Sequence, residues 1–385
     1  MVAWADRLAH ECEFPEEKVL STCKRLITSI KGSMRDEGSV LSTVLTTMLH
    51  DTLSPQVQFC SLEQRPFLER CICDITGTCK ALRRLRDVIT APSTAVLAVI
   101  SGSTRGSRCA TRGMLQEAFC ARHASVRPSL LEAVKWGEGS RPSAPPLLPL
   151  RYLVVGCAGS DTANVHLGAD LPMPPLALDA TKTGALRLLC EALSMMEGAL
   201  CMAVRGKGLA YGASVSFLPN ENSVSLDLWE CTNVKKAVEA ALEVIRDAAE
   251  SDSLAPFQLD NARGALVFSL KGKRATPTSV VAAAVGSACR GWRTAAEVLE
   301  WENLIGSVTE KDVLAVHEEY LKLLCDAASV RACVVCDPGD CKKMAKGLAA
   351  SLGLDVKQVF VKDNIGDCYE IVDGKVRDAY DKLSA

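Results

Sequence analysis

The run Val204–Ile245, VRGKGLAYGASVSFLPNENSVSLDLWECTNVKKAVEAALEVI, decides the fold. Tyr211 to Leu218 and Ser223 to Cys231 both alternate apolar with polar or small residues, the period of a half-buried strand. Pro219-Asn220-Glu221-Asn222 between them supplies turn chemistry, so the pair predicts an antiparallel hairpin. Thr232 is then placed to cap a helix on which Val234, Val238, Ala241 and Ile245 share one face. Upstream, Thr181 to about Val204 carries Leu186, Leu189, Leu193 and Leu200 at helical spacing. Gly206 and Gly208 end that helix, because glycine opens the backbone conformations a tight turn needs.

Outside this run, Arg151 to Gly156, Ala163 to Leu167, Val330 to Cys336 and Lys357 to Val361 read as further strands. Helices are predicted over Asn261 to Leu270, Pro277 to Cys289 and Cys341 to Leu352, the last stopping at Gly353. Another opens at the capping-box pattern Thr309-Glu-Lys-Asp312 and runs through Val313, Val316, Tyr320 and Leu321. Nearer the start, Glu17 to Lys31, Val40 to His50 and Phe67 to Ile89 are helical in period, and Ala95 to Ile100 is a short strand. Between 106 and 149 the composition turns to Gly, Ser, Arg and Pro, ending in SRPSAPPLLPL, which reads as a linker. The expected organisation is therefore a unit over 1–105, a linker over 106–149 and a larger unit over 150–385. A faint echo between Leu82–Gly102 and Val316–Gly339, each a Leu-rich helix leading into a Val-rich strand, suggests that the two units are related.

Composition narrows the classes of function. The 385 residues are 48% hydrophobic and 23% charged, which are globular proportions. With 44 Lys and Arg against 46 Asp and Glu, the net charge of −2 supplies no general attraction to nucleic acid or anionic lipid. Aromatic residues are only 5%, so the clusters Arg83-Arg84-Leu-Arg86 and Arg105 to Arg112 have few stacking platforms beside them. No apolar run approaches the ~20 residues that span a bilayer, and the first residues carry no export or import pattern. Eighteen cysteines lie scattered through apolar segments, not at the spacings of a disulfide scaffold. Reduced thiols in the cytoplasm are the expectation. Cys333-Val-Val-Cys336, with Cys341 nearby, admits a metal or redox pair, or simply a buried strand.

Arg205 and Tyr211 are the side chains best suited to chemistry. Six residues apart on one helix they would point about 240° apart, but the turn at Gly206 and Gly208 lets both face one hollow. A guanidinium and a phenol together suit peptide carbonyls or a developing oxyanion. The plainer alternative is that Arg205 covers a helix C-terminus and Tyr211 packs on the sheet. A phosphate loop is excluded, since Gly206, Gly208 and Gly212 lie between helix and strand, the reverse of the order that aims backbone donors at phosphate.

These residues resemble the pitrilysin/insulinase-type zinc metallopeptidases. The likeness rests on Arg205 with Gly208-Leu-Ala-Tyr211-Gly212, on the hairpin and helix that follow, on Val308-Thr309-Glu-Lys-Asp312-Val313, on Tyr320-Leu321, and on the Val-rich strand into Asp337-Pro338. Residues 152–362 resemble the fourth domain of such an enzyme. Residues 15–102 resemble the end of its third, through Leu85-Arg-Asp-Val-Ile-Thr-Ala-Pro92. Tyr320-Leu321 and Gly347 to Gly353 are most similar to the cytosolic, presequence-protease-like branch.

The resemblance implies an α+β fold of two related sandwich units, antiparallel-rich sheets covered by helices, the first incomplete. It implies a peptide-binding chamber, with Arg205 and Tyr211 on the substrate carbonyl and transition state, and Gly208, Leu209 and Gly212 lining the substrate. Zinc is expected in a complementary half, because HxxEH is absent here and His10, His50, His123, His166 and His317 lie far apart. The chain is expected to be inactive unless a zinc-bearing N-terminal half or homologous subunit joins it. Two alternatives stand beside this: a non-catalytic scaffold or partner subunit of the same fold, and a cysteine-based metal or redox protein. Neither nucleic acid nor membrane is an expected partner.

Overall fold

The computed structural model describes residues 11–50, 54–90, 150–172, 180–218, 221–250, 254–272, 275–282 and 303–365. The chain divides into two compact units: Met1–Ser29 with Arg65–Trp136 and Lys271–Thr294, and Ile30–Gln64 with Gly137–Leu270 and Ala295–Ala385. The strand expected over 95–100 and the linker over 106–149 lie outside the described residues.

In the first unit the described elements are helical. Its main pieces are most of α1 (Glu16–Ser33), the later part of α4 (Ser61–Cys73), and α5 (Ile75–Ile89). The single helix expected over Phe67–Ile89 is two. Asp74 interrupts it, and its carboxylate accepts the Gly77 N–H at 2.9 Å, so the aspartate caps a new helix instead of continuing the old one.

The second unit is built on a six-stranded sheet, β1 (Tyr152–Gly156), β2 (Ala163–Asp170), β3 (Ala210–Leu218), β4 (Ser223–Cys231), β5 (Val330–Cys336) and β6 (Phe360–Lys362), in the order β3-β4-β2-β5-β1-β6. Neighbours from β3 to β5 are antiparallel, while β1 runs parallel to both β5 and β6. Parallel strands are normally covered on both faces, which explains why β1 is buried along its whole length.

On one face, Val154, Val165, Leu167, Leu226, Leu228 and Val334 form a continuous core with helices α6 (Ala180–Ser194), α8 (Val234–Asp247), α10 (Glu310–Glu319) and α11 (Cys341–Leu352). Leu186, Leu189 and Leu193 of α6, and Val238, Ala241 and Ile245 of α8, are the residues that the helical spacing singled out, and all are fully or almost fully buried. Each buried Leu or Ile contributes about 1.5–3 kcal/mol relative to exposure. On the opposite face Leu153, Val155, Cys333 and Val335 pack against Val40, Val44 and Met48 of α2 (Glu37–Leu49).

Several boundaries move for identifiable reasons. The helix expected over Thr181–Val204 breaks at Gly198 into α6 and α7 (Ala199–Val204). A Cβ at Gly198 would sit 2.9 Å from the Met195 carbonyl, so only glycine takes that turn without a shift. Asn233, not Thr232, caps α8 by accepting the Lys236 N–H; the Thr232 hydroxyl donates instead to the carbonyls of Gly208 and Leu209. The Thr309/Asp312 capping box is present, with α10 giving way after Glu319 to a 3-10 turn over Leu321–Cys325. The helix expected over Asn261–Leu270 is longer, α9 (Pro256–Gly272). The helix over Pro277–Cys289 is described only to residue 282.

Candidate substrate-binding site

Helix α7 delivers Arg205 to the rim of the sheet, and the turn after it delivers Tyr211. Arg205 donates its N–H to the Cys201 carbonyl and is the C-cap of α7. Gly206 repeats that bond at 3.1 Å and Gly208 donates to the Arg205 carbonyl at 2.9 Å. Gly208 has φ +67°, the left-handed conformation in which a side chain is strained. Leu209 then donates to the Val204 carbonyl at 2.9 Å, and its own carbonyl accepts the Thr232 N–H at 3.0 Å. Its side chain packs against the main core, which anchors the turn from below.

The turn lays the Arg205 guanidinium over the Tyr211 ring, 4.7 Å from the ring centre. Tyr211 is 56% exposed, so the side chain lies largely on the surface of β3. Gly212 follows beneath Trp229, itself 38% exposed; a Cβ at Gly212 would come within 2.3 Å of the indole. The Arg205–Tyr211 stack thus stands at the start of β3, one residue before the glycine that Trp229 covers.

The corner is shaped by an irregularity in β4. Glu230 has φ +54°, and the pairing of β4 with β2 slips between Ala163 and Val165. Such a bulge bends the strand and re-aims its side chains. Its backbone is not left unpaired, because the Asn164 carboxamide oxygen accepts the Glu230 N–H at 2.9 Å. Sequence inspection missed Trp229, Glu230 and Asn164: their proximity to Tyr211 follows from cross-strand pairing, although the alternation of β4 already placed Trp229 on the face of Asp227.

That face carries a second polar group that the sequence did not reveal. His166 of β2 pairs with Asp227 of β4, Nδ1 to Oδ1 2.6 Å, and the Ser225 hydroxyl donates to the other carboxylate oxygen at 3.0 Å. His317 is fully buried and bonds the Ile245 carbonyl at 2.7 Å. Both histidines hold the fold together. Among the described residues no group of three or more His, Cys, Asp or Glu side chains is arranged to hold a metal ion.

The Cys333–Cys336 pairing expected as one alternative is not formed. Three residues apart on a strand, the two side chains leave opposite faces: Cys333 packs with Val335 beneath α2, Cys336 with Val334 in the main core. They cannot share a metal or close a bond with each other. Also among the described residues, no helix is long and apolar enough to cross a membrane.

Comparison with known proteins bears on the fold. No family model matches the chain. A Caenorhabditis elegans protein, uncharacterized protein C05D11.1, is 23% identical over 291 residues, 72% of this chain and 27% of that protein, so the chain spans about a quarter of that relative's length. The peptidase M16 inactive domain from Pseudomonas fluorescens superposes with a TM-score of 0.56 at 13% identity, covering 84% of this chain and 71% of that one. An M16-like peptidase from Alicyclobacillus acidocaldarius gives 0.58 at 14% identity, over 84% and 72% of the two chains. Pitrilysin gives 0.55 at 13% identity, over 85% of this chain and 32% of its own. The fold is that of the pitrilysin-type M16 peptidase domains, an α+β sandwich with a six-stranded sheet covered by helices.

Proposed function

We propose that the chain is the non-zinc, C-terminal half of a pitrilysin-type metalloendopeptidase, with its sheet walling one side of a peptide-binding chamber. The fold shared with an M16 inactive domain and with pitrilysin supports this reading. The observation that carries it is the exposed Arg205–Tyr211 stack at the turn into β3. Arg205 offers a planar set of donors and Tyr211 one phenolic donor, and together they would bind a substrate carbonyl and the negative charge that grows on it in the transition state. Gly208 adds no side chain at the turn, Gly212 makes room for the Trp229 indole, and Leu209 fixes the turn.

On this reading zinc and its activated water come from a complementary half that closes over the corner, since the sequence carries no HxxEH. The partners are therefore a peptide and that zinc-bearing half. The scattered cysteines favour the cytoplasm as the compartment.

Mixing the purified chain with an HxxEH-bearing half and following cleavage of unstructured peptides tests the proposal. Cleavage should appear in the mixture and exceed that of the zinc half alone. A stable complex whose cleavage equals that of the zinc half alone would overturn it and leave a scaffold subunit of the same fold. No complex and no gain in cleavage would also refute it.

A further inference from the structure

The end of β5 meets the start of α11 at a tight corner, Cys336-Asp-Pro-Gly-Asp-Cys341, in which Pro338–Asp340 forms a single 3-10 turn. The corner is held from several sides. The Cys336 carbonyl accepts the Cys157 N–H at 2.7 Å, the Asp337 carboxylate accepts the Gly339 N–H at 2.8 Å, and the Asp337 carbonyl accepts the Asp340 N–H at 3.0 Å. Within it the Cys336 and Cys341 sulfurs lie 3.7 Å apart, and both residues are almost completely buried. The Cys341 sulfur also lies 3.6 Å from the Asp337 carbonyl and 3.8 Å from that of Lys362.

We propose that Cys336 and Cys341 are a dithiol modification site, oxidised by a small peroxide to a disulfide that clips β5 to α11. A disulfide sets its sulfurs about 2.05 Å apart, so the pair must close by roughly 1.7 Å, a displacement that side-chain torsions can supply. Cys336 donates its S–H to Cys341, and that bond first, with burial second, pushes the Cys336 thiol up. Cys341, the acceptor, is at the first position of α11, where the helix dipole favours a thiolate. The Cys341 thiol gives up its proton and the thiolate attacks hydrogen peroxide; the O–O bond breaks, leaving a sulfenic acid and a hydroxide that takes up that proton as water. The Cys336 sulfur then attacks the Cys341 sulfur; the S–S bond forms, the S–O bond breaks, and the departing hydroxide leaves with the Cys336 proton as water. Two thiols and one peroxide give one disulfide and two waters. Burial confines the reaction to an oxidant small enough to reach the corner.

The inference does not depend on the peptidase reading, and it excludes Cys333, which faces the other side of the sheet. Trypsin cutting after Arg331 and Lys342 yields a peptide, Ala332–Lys342, that holds all three cysteines, and its Asp337–Pro338 bond is cleaved by mild acid. The folded chain is treated with hydrogen peroxide, unfolded, alkylated, digested without reduction and then treated with acid. The expected result is alkylation of Cys333 alone, with the two acid fragments joined until a reductant is added. Fragments that separate without reductant would assign the link to Cys333 and Cys336 and overturn the proposal. Alkylation of all three cysteines at peroxide levels that oxidise the exposed Cys12 and Cys73 would overturn it as well.

Discussion

Replacing Tyr211 by Phe removes the phenolic hydroxyl while keeping the ring that lies 4.7 Å under the Arg205 guanidinium. Stability should barely change. The ring is 56% exposed, where a cation–π contact contributes about 0.5–1 kcal/mol, and Phe retains it. Turnover should change greatly if the hydroxyl bonds the developing oxyanion: loss of one such donor costs about 10²–10³ in kcat, or ~2.7–4 kcal/mol. A donor that acts only in the transition state lowers kcat and kcat/KM together and leaves KM alone. Arg205→Lys keeps the charge but loses the planar fork and its stacking, so it should also slow turnover. The double variant should lose less than the sum of the two, because both groups serve one oxygen. The assay is steady-state peptide cleavage by the chain joined with an HxxEH-bearing half, paired with urea unfolding of the chain alone. Unchanged kcat/KM for both single variants would refute the assignment. So would a loss for Tyr211→Phe matched by an equal loss of stability, since the residue would then act through packing.

Two further predictions concern the scaffold behind the site. His317→Leu removes the donor that satisfies the Ile245 carbonyl near the end of α8, one of the last carbonyls for which the helix has no partner of its own. Stability should fall by about 1–3 kcal/mol, a drop of roughly 1 M in urea midpoint for a slope near 2 kcal/mol/M; an unchanged midpoint would rule out the pin. Thr309→Ala should cost about 1 kcal/mol at neutral pH by removing the helix cap. In the native chain the hydrogen bonds from the Thr309 side chain first, and its backbone second, hold Asp312 below its ordinary 3.8. A depressed carboxylate contributes stability that is complete above the unfolded value and disappears as pH falls through the folded one, so the difference between the two proteins should shrink below pH 3.8. NMR titration of the Asp312 carboxyl checks this, and an identical pKa in both would count against it.

Local chemistry alone made much of this protein legible. The hairpin Tyr211–Cys231, the capping box at Thr309 and the stop at Gly353 rest on alternation, on hydrogen bonds over three or four residues, and on the backbone freedom of glycine. Each is decided before distant parts of the chain meet. The turn after Arg205 belongs to the same class, since Gly208 has to take a positive φ whatever packs above it. Asp74 and Gly198 break their helices by equally local means, a cap on the Gly77 N–H and a close approach to the Met195, Leu193 and Ala192 carbonyls, which the continuous apolar stripe concealed. Tertiary structure decided the rest. Thr232 loses the cap to Asn233 because its hydroxyl is drawn to carbonyls more than twenty residues away. The cysteines show the division most clearly. Spacing suggests Cys333 with Cys336, but strand alternation sends them to opposite faces, and the corner that follows returns Cys341 to Cys336. Likewise Trp229 comes to lie over Gly212 only when β3 and β4 pair in one particular register. A sequence records periods and propensities along the chain, whereas contacts across a sheet depend on register and strand order, which are fixed by burial of the whole core at once.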